Sequence, residues 1–83
     1  MNLLSWNCCG LGNPQSVNAL KEVIRIEKTK IVFLMETNLD RDWMEKVRDQ
    51  CDFKQGLIVP SRNSSSGLAL LWKDDVKELF IKY

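Results

Sequence analysis

The sequence predicts a mixed α/β domain with the element order β-α-β-α-β-β-β. Three observations carry that expectation. Two apolar runs, residues 3–6 and 31–35, flank one stretch of helical periodicity, the signature of a β-α-β unit. A second helix-like stretch follows. Behind it come three strand-like runs with no helix between them, so the sheet is expected to be mixed and not doubly wound throughout.

Residues 2–6 read as the first strand, and residues 8–13 as a short loop holding Gly10 and Gly12. Asn13-Pro14 then gives a helix start, with Asn as N-cap and Pro at the first helical position. Val17, Leu20, Val23 and Ile24 form an apolar stripe at helical spacing, leaving Lys21, Glu22, Arg25 and Lys28 to face solvent. The run Ile31–Met35 is apolar at every position, the pattern of a central strand covered on both faces. Asp40 is placed as the N-cap of a second helix with Met44, Val47 and Cys51 inward and Trp43 beside that stripe. Residues 53–59 read as a third strand with Phe53, Gln55, Leu57 and Val59 on one face. A polar loop containing Ser64-Ser65-Ser66-Gly67 leads to a fourth strand at 68–72, again apolar on both faces. Lys73-Asp74-Asp75 is a turn, and residues 76–83 suggest a fifth strand with Leu79, Ile81 and Tyr83 alternating. The sequence stops inside that segment, which leads us to expect that residues 1–83 belong to a longer domain.

A chain of 83 residues forms one small domain and no more. Hydrophobic residues at 45% and charged residues at 28% fit a globular protein, and a net charge of +1 removes any bulk basic field. There are no histidines, which excludes a Ser-His-Asp triad, a Cys-His pair, His-ligated zinc and imidazole acid/base chemistry. Cys8, Cys9 and Cys51 lack CxxC spacing and are odd in number, so they read as small buried apolar residues in a reducing compartment. No run is long enough to span a membrane and no signal peptide is evident, which points to the nucleus or cytoplasm.

Two residues stand out for chemistry. If the first two strands are parallel neighbours, Asn7 and Glu36 converge at the carboxyl edge of the sheet, where open α/β sheets bind ligands. Asn7 is either a turn asparagine bonded to its own backbone or an amide that orients a phosphate or a metal-bound water. Glu36 either projects into water or offers a carboxylate to a divalent cation such as Mg²⁺, which takes one or two carboxylates plus waters. Gly10-Leu11-Gly12 beside a helix start is also part of a dinucleotide fingerprint, with Glu36 at the ribose-binding position. Gln15, however, occupies the place of its third glycine. Asp74-Asp75 reads as a turn and not a metal pair. Trp6, Trp43 and Trp72 read as core or edge packing, not base-stacking platforms.

Residues 1–12, ending Ser5-Trp6-Asn7-Cys8-Cys9-Gly10-Leu11-Gly12, resemble the opening of the endonuclease/exonuclease/phosphatase superfamily. They are especially similar to the endonuclease domain of plant LINE-type (non-LTR) retrotransposons. Phe33-Leu34-Met35-Glu36-Thr37 resembles that family's second motif, and residues 66–73 its later glycine-led strand. The resemblance is collinear over essentially the whole chain. It implies a DNase I-like four-layer sandwich, of which this chain is the amino-terminal part, and Mg²⁺-dependent hydrolysis of nucleic-acid phosphodiesters. It makes Glu36 a direct metal ligand, Asn7 an organiser of metal and scissile phosphate, and Gly10 and Gly12 shapers of the adjoining loop. The family's later aspartate/asparagine pair and terminal aspartate-histidine pair have no counterpart here. An inactive fragment is therefore expected, with weak Mg²⁺ binding, little hold on nucleic acid, and self-association through an exposed sheet face or edge. The competing expectations are a small βαβ nucleotide-binding module and a non-functional remnant.

Overall fold

The computed structural model describes residues 3–62 and 66–76, so all of the predicted fifth strand except Val76 lies outside the described residues. Among the described residues six elements are present: β1 (Leu3–Asn7), α1 (Pro14–Glu27), β2 (Ile31–Met35), α2 (Arg41–Gln50), β3 (Gln55–Val59) and β4 (Leu68–Trp72). Val76 is not in a strand.

Both helix starts follow from local side-chain chemistry. The Asn13 side-chain oxygen accepts a hydrogen bond from the Ser16 N–H at 2.8 Å, and Pro14 opens α1, where its missing N–H costs nothing. Asp40 does the same for α2, accepting from the Trp43 N–H at 2.9 Å. Helix α1 ends at Lys28, which turns left-handed at φ 51° and donates its N–H to the Ile24 carbonyl.

The sheet has the order β1-β2-β4-β3. Strands β1 and β2 are parallel, with Leu3 opposite Ile31 and Asn7 opposite Met35. Strand β4 is antiparallel to both β2 and β3, so β3 runs parallel to β2. The two crossovers, β1-α1-β2 and β2-α2-β3, therefore step across the sheet in the same direction. Crossovers of one hand stepping the same way put their helices on the same face. The core agrees: Val17, Leu20 and Ile24 of α1 join Met44 and Val47 of α2 in one cluster with Val32, Leu34, Ile58, Ala69 and Leu71. Leu4 and Trp6 pack against its margin.

The opposite face of the sheet is open. Leu3 is 63% exposed, Leu57 51%, Val59 47% and Leu68 37%, while Phe33, Met35, Leu70 and Trp72 are half-buried. This corrects the expectation for β2. It is central, with β1 and β4 beside it, but among the described residues a helix layer covers one of its faces; on the other, Ile31 is buried while Phe33 and Met35 are half-buried.

Three further expectations change. The third strand begins at Gln55, not at residue 53. Asp52 adopts φ 64° and the Phe53 N–H bonds to the Arg48 carbonyl, so these residues close α2. Phe53 then turns fully into the core and does not share the exposed face of Leu57 and Val59. Among the cysteines only Cys51 is buried; Cys8 is half-buried and Cys9 exposed on the loop after β1. Trp43 is 57% exposed on α2, with the Lys46 ammonium 4.7 Å from its ring centre. The turn at Asp74-Asp75 stands as expected: Asp75 pairs with Lys30, and Asp74 accepts from the Gln55 amide at 3.3 Å.

Candidate functional site

Because β1 and β2 are parallel and in register, their carboxyl ends finish level. Asn7 is the last residue of β1 and Glu36 the first after β2, and both are exposed. The structure thus brings the two sequence-selected residues to one edge.

Three loops are laced together there by backbone hydrogen bonds. Beyond β1, the N–H groups of Cys8, Gly10 and Leu11 donate to the carbonyls of Met35, Glu36 and Thr37 at 2.8, 2.8 and 2.9 Å. On the other side, Thr37 and Asn38 donate to Gly67 and Ser66, at 3.3 and 2.7 Å. The segment after β2 therefore continues the sheet as its middle strand, but not with extended backbone. Glu36 and Asn38 sit at φ 54° and 56°, on either side of Thr37. Asn tolerates the left-handed region; Glu does so only at a cost of roughly 1–2 kcal/mol. Its alternate left-handed neighbours turn Thr37 inward, 1% exposed, and send the Glu36 side chain out.

Glycine is required where these loops meet. A Cβ on Gly67, at φ 82°, would lie 2.7 Å from the Thr37 hydroxyl oxygen and 3.1 Å from the Ser61 nitrogen. Gly10 sits at φ 96°, whereas a Cβ on Gly12 would meet open space. Of the two loop glycines singled out by sequence, the backbone needs only Gly10.

The Asn7 side-chain oxygen accepts from the Cys9 N–H at 3.2 Å and from the Cys9 thiol at 3.4 Å. The turn role is thus carried by its carbonyl end, and the amide –NH₂ remains as a donor at the edge. Glu36 makes no side-chain hydrogen bond or ion pair among the described residues. Burial, followed by the neighbouring Cys9, pushes the Cys8 thiol up to about 11, with a smaller push from the Glu36 carboxylate. Cys8 is therefore a neutral thiol at physiological pH and supplies no nucleophile.

As a metal centre the edge is sparse. Among the described residues no group of three or more Asp, Glu, Cys or His side chains converges. Glu36 fits one corner of a magnesium shell whose other positions would be filled by water or substrate oxygens. The Asn7 oxygen, the atom through which an amide would ligate, is already turned to Cys9.

Sequence reasoning passed over Thr37, whose hydroxyl is buried without a hydrogen-bond partner in the structure. Nothing in the apolar run before it signals a buried polar side chain. Sequence reasoning also did not single out a groove at the opposite end of the sheet, bounded by Lys30 before β2 and Lys73 after β4. Among the described residues, no helix is long and apolar enough to cross a membrane. The chain matches no protein-family model, and a search of curated proteins finds no match.

Proposed function

We propose that the carboxyl edge of β1 and β2 is half of a Mg²⁺-dependent phosphodiesterase site, of the endonuclease/exonuclease/phosphatase type found in LINE-type retrotransposons. The 83-residue chain alone does not complete the reaction. The observation that carries this reading is Glu36: an exposed carboxylate without a side-chain partner among the described residues, held in a costly left-handed conformation beside the end of the Asn7 strand. Strain of this kind concentrates at functional sites.

In this reading Glu36 holds one position of the ion, and the Asn7 amide nitrogen donates to a non-bridging phosphoryl oxygen. The bound Mg²⁺ would neutralise charge on that oxygen. The chain offers no imidazole to activate water or protonate a leaving oxygen. Loss of one such group costs roughly 10²–10⁴ in rate, and among the described residues Glu36 is the one carboxylate at this edge for the metal. The open apolar face fits the same reading, since a second sheet packing on it would give the sandwich of that family. Left uncovered, it favours self-association.

The nucleotide-module alternative needs backbone N–H groups of the glycine loop to cradle a pyrophosphate. Those of Cys8, Gly10 and Leu11 are spent on the carbonyls of Met35, Glu36 and Thr37. We therefore favour the phosphodiesterase reading.

The test has two arms. Mn²⁺, as a paramagnetic stand-in, is expected to broaden the NMR signals of residues 7–10 and 36–38 at millimolar concentration, and Glu36→Gln to abolish the broadening. Supercoiled plasmid with Mg²⁺ is expected to remain uncut. Broadening that survives Glu36→Gln, or robust nicking that Glu36→Ala abolishes, would overturn the metal assignment or the inactivity respectively.

A further inference from the structure

The groove at the far end of the sheet has a volume of about 860 Å³ and collects half of the chain's basic residues. Lys21, Arg25 and Lys28 come from α1 at helical spacing. Lys30, Lys54 and Lys73 are brought to them by the starts of β2 and β3 and the end of β4. Four acids share the groove. Three are already paired: Glu22 with Arg25, Asp75 with Lys30, and Asp52 with Lys73 at 3.7 Å. The fourth, Asp74, accepts a hydrogen bond from Gln55. Lys21, Lys28 and Lys54 are exposed, and their ammonium groups make no hydrogen bond or ion pair among the described residues.

Among the described residues six cations and four anions line the groove, a formal charge of +2. The carboxyl ends of α1 and α2 border it and contribute about −0.5 each. The local field stays positive, by about one charge, in a chain whose overall charge is only +1. Dipole capping explains Lys28 and Arg25, which lie in or just past the last turn of α1. It does not explain Lys54, which lies beyond α2 on the approach to β3. Nor does the groove hold an aromatic platform. Phe53 is fully buried and lies under the Lys73 ammonium, 4.3 Å from its ring centre, while Trp43 is not among the lining residues.

We infer that this groove is a sequence-independent contact for the phosphate backbone of duplex nucleic acid, made by Lys21, Lys28 and Lys54. Three cations without a partner among the described residues, Lys21 and Lys28 about two helical turns apart on α1 and its C-cap and Lys54 on the approach to β3, suit an extended polyanion, and the lack of an exposed ring among the groove residues removes the stacking that single strands use. The inference takes its nucleic-acid partner from the proposed function, but its residues lie at the other end of the molecule from Asn7 and Glu36.

The experiment is fluorescence anisotropy of a labelled 20-base-pair duplex of mixed sequence, titrated with the whole chain between 20 and 150 mM salt. Three neutralised phosphates give an expected log–log salt slope of about −2.7, with a dissociation constant on the order of 10⁻⁴ M near physiological salt. The triple variant Lys21→Gln, Lys28→Asn, Lys54→Gln (Asn because residue 28 is left-handed) is expected to lose at least tenfold in affinity at 20 mM salt and most of the slope. The control variant Lys46→Gln, at an exposed lysine of α2 outside the groove, is expected to retain most of both. NMR shift perturbation of the unmodified chain by the duplex should map to residues 21–30 and 50–54, which keeps the test independent of how the variants fold. No binding at 20 mM salt, an unchanged triple variant, perturbations confined to residues 7–10 and 36–38, or a tenfold preference for the single strand would each overturn the inference. Failure of the metal assay with success here would separate the two readings.

Discussion

Replacing Glu36 by glycine is expected to stabilise the chain. The residue sits at φ 54°, a conformation that costs an L-residue roughly 1–2 kcal/mol relative to the right-handed regions. Glycine removes that cost but adds freedom to the unfolded chain, worth roughly 0.5–1 kcal/mol against folding. The side chain is exposed and makes no hydrogen bond or ion pair among the described residues, so little packing is lost with it. Its carbonyl still accepts from Gly10, because only the side chain changes. The balance favours Glu36→Gly by about 0.5–1 kcal/mol, or about 2–8 °C in Tm for a domain of this size. Glu36→Ala is the control. It removes the carboxylate but keeps Cβ, and with it the strain, so its Tm should move by less than half as much. Thermal and urea melts of the three proteins at neutral pH would decide. A destabilised Glu36→Gly, or an Ala variant stabilised as much as the Gly variant, would refute the argument that backbone strain is stored at this residue.

Gly67→Ala should cost about 2–4 kcal/mol, combining left-handed strain at φ 82° with a Cβ 2.7 Å from the Thr37 oxygen, measured by urea midpoint. Thr37→Val removes a buried hydroxyl that has no partner, so stability should hold or rise by up to about 1 kcal/mol; a loss larger than that would show the hydroxyl to be satisfied. Cys9, exposed, should be alkylated at neutral pH well before Cys8 and Cys51, whose thiols burial pushes up to about 11; peptide mapping after a timed iodoacetamide pulse reads the order. Those same thiols stay protonated in the folded chain while the unfolded chain ionises near 9. Their contribution to stability is therefore complete below about pH 9 and is lost as pH rises toward about 11, which a pH series of melts should show.

What the sequence made legible was chemistry confined to a few neighbouring residues. Asn13-Pro14 and Asp40 cap their helices because a short side chain reaches the N–H three residues on, a bond that needs nothing from the rest of the fold. The convergence of Asn7 and Glu36 was also legible, since a single helical crossover between two apolar runs nearly dictates parallel neighbours. The position of β4 was not. It slots between β2 and β3, a pairing decided by partners as far apart in sequence as Ile31 and Trp72, and no local pattern in Leu68–Trp72 states it. Phe53 misled because period-two alternation continues backwards from β3 into residues that in fact close α2. The left-handed turn at Glu36 left no trace either, because glutamate is not a residue whose presence advertises positive φ.

The all-apolar run of β2 joins that limit of sequence reading to the functional argument. Ile31–Met35 has the composition of a strand covered on both faces, yet both crossovers step the same way and place both helices on one side. Phe33 and Met35 are left half-buried, continuous with Leu70, Trp72, Leu57 and Val59 across the open face. A half-solvated sheet normally alternates apolar with polar residues. Of the positions on this face only Ser5, Asn7 and Gln55 are polar, and none is charged. Lysine or glutamate would be the simplest way to solvate such a surface, and none of the strand positions on this face carries one. The composition of the open face thus matches a surface meant to meet another apolar layer. That is independent of the strained Glu36 and supports the same sandwich-type reading from the opposite direction.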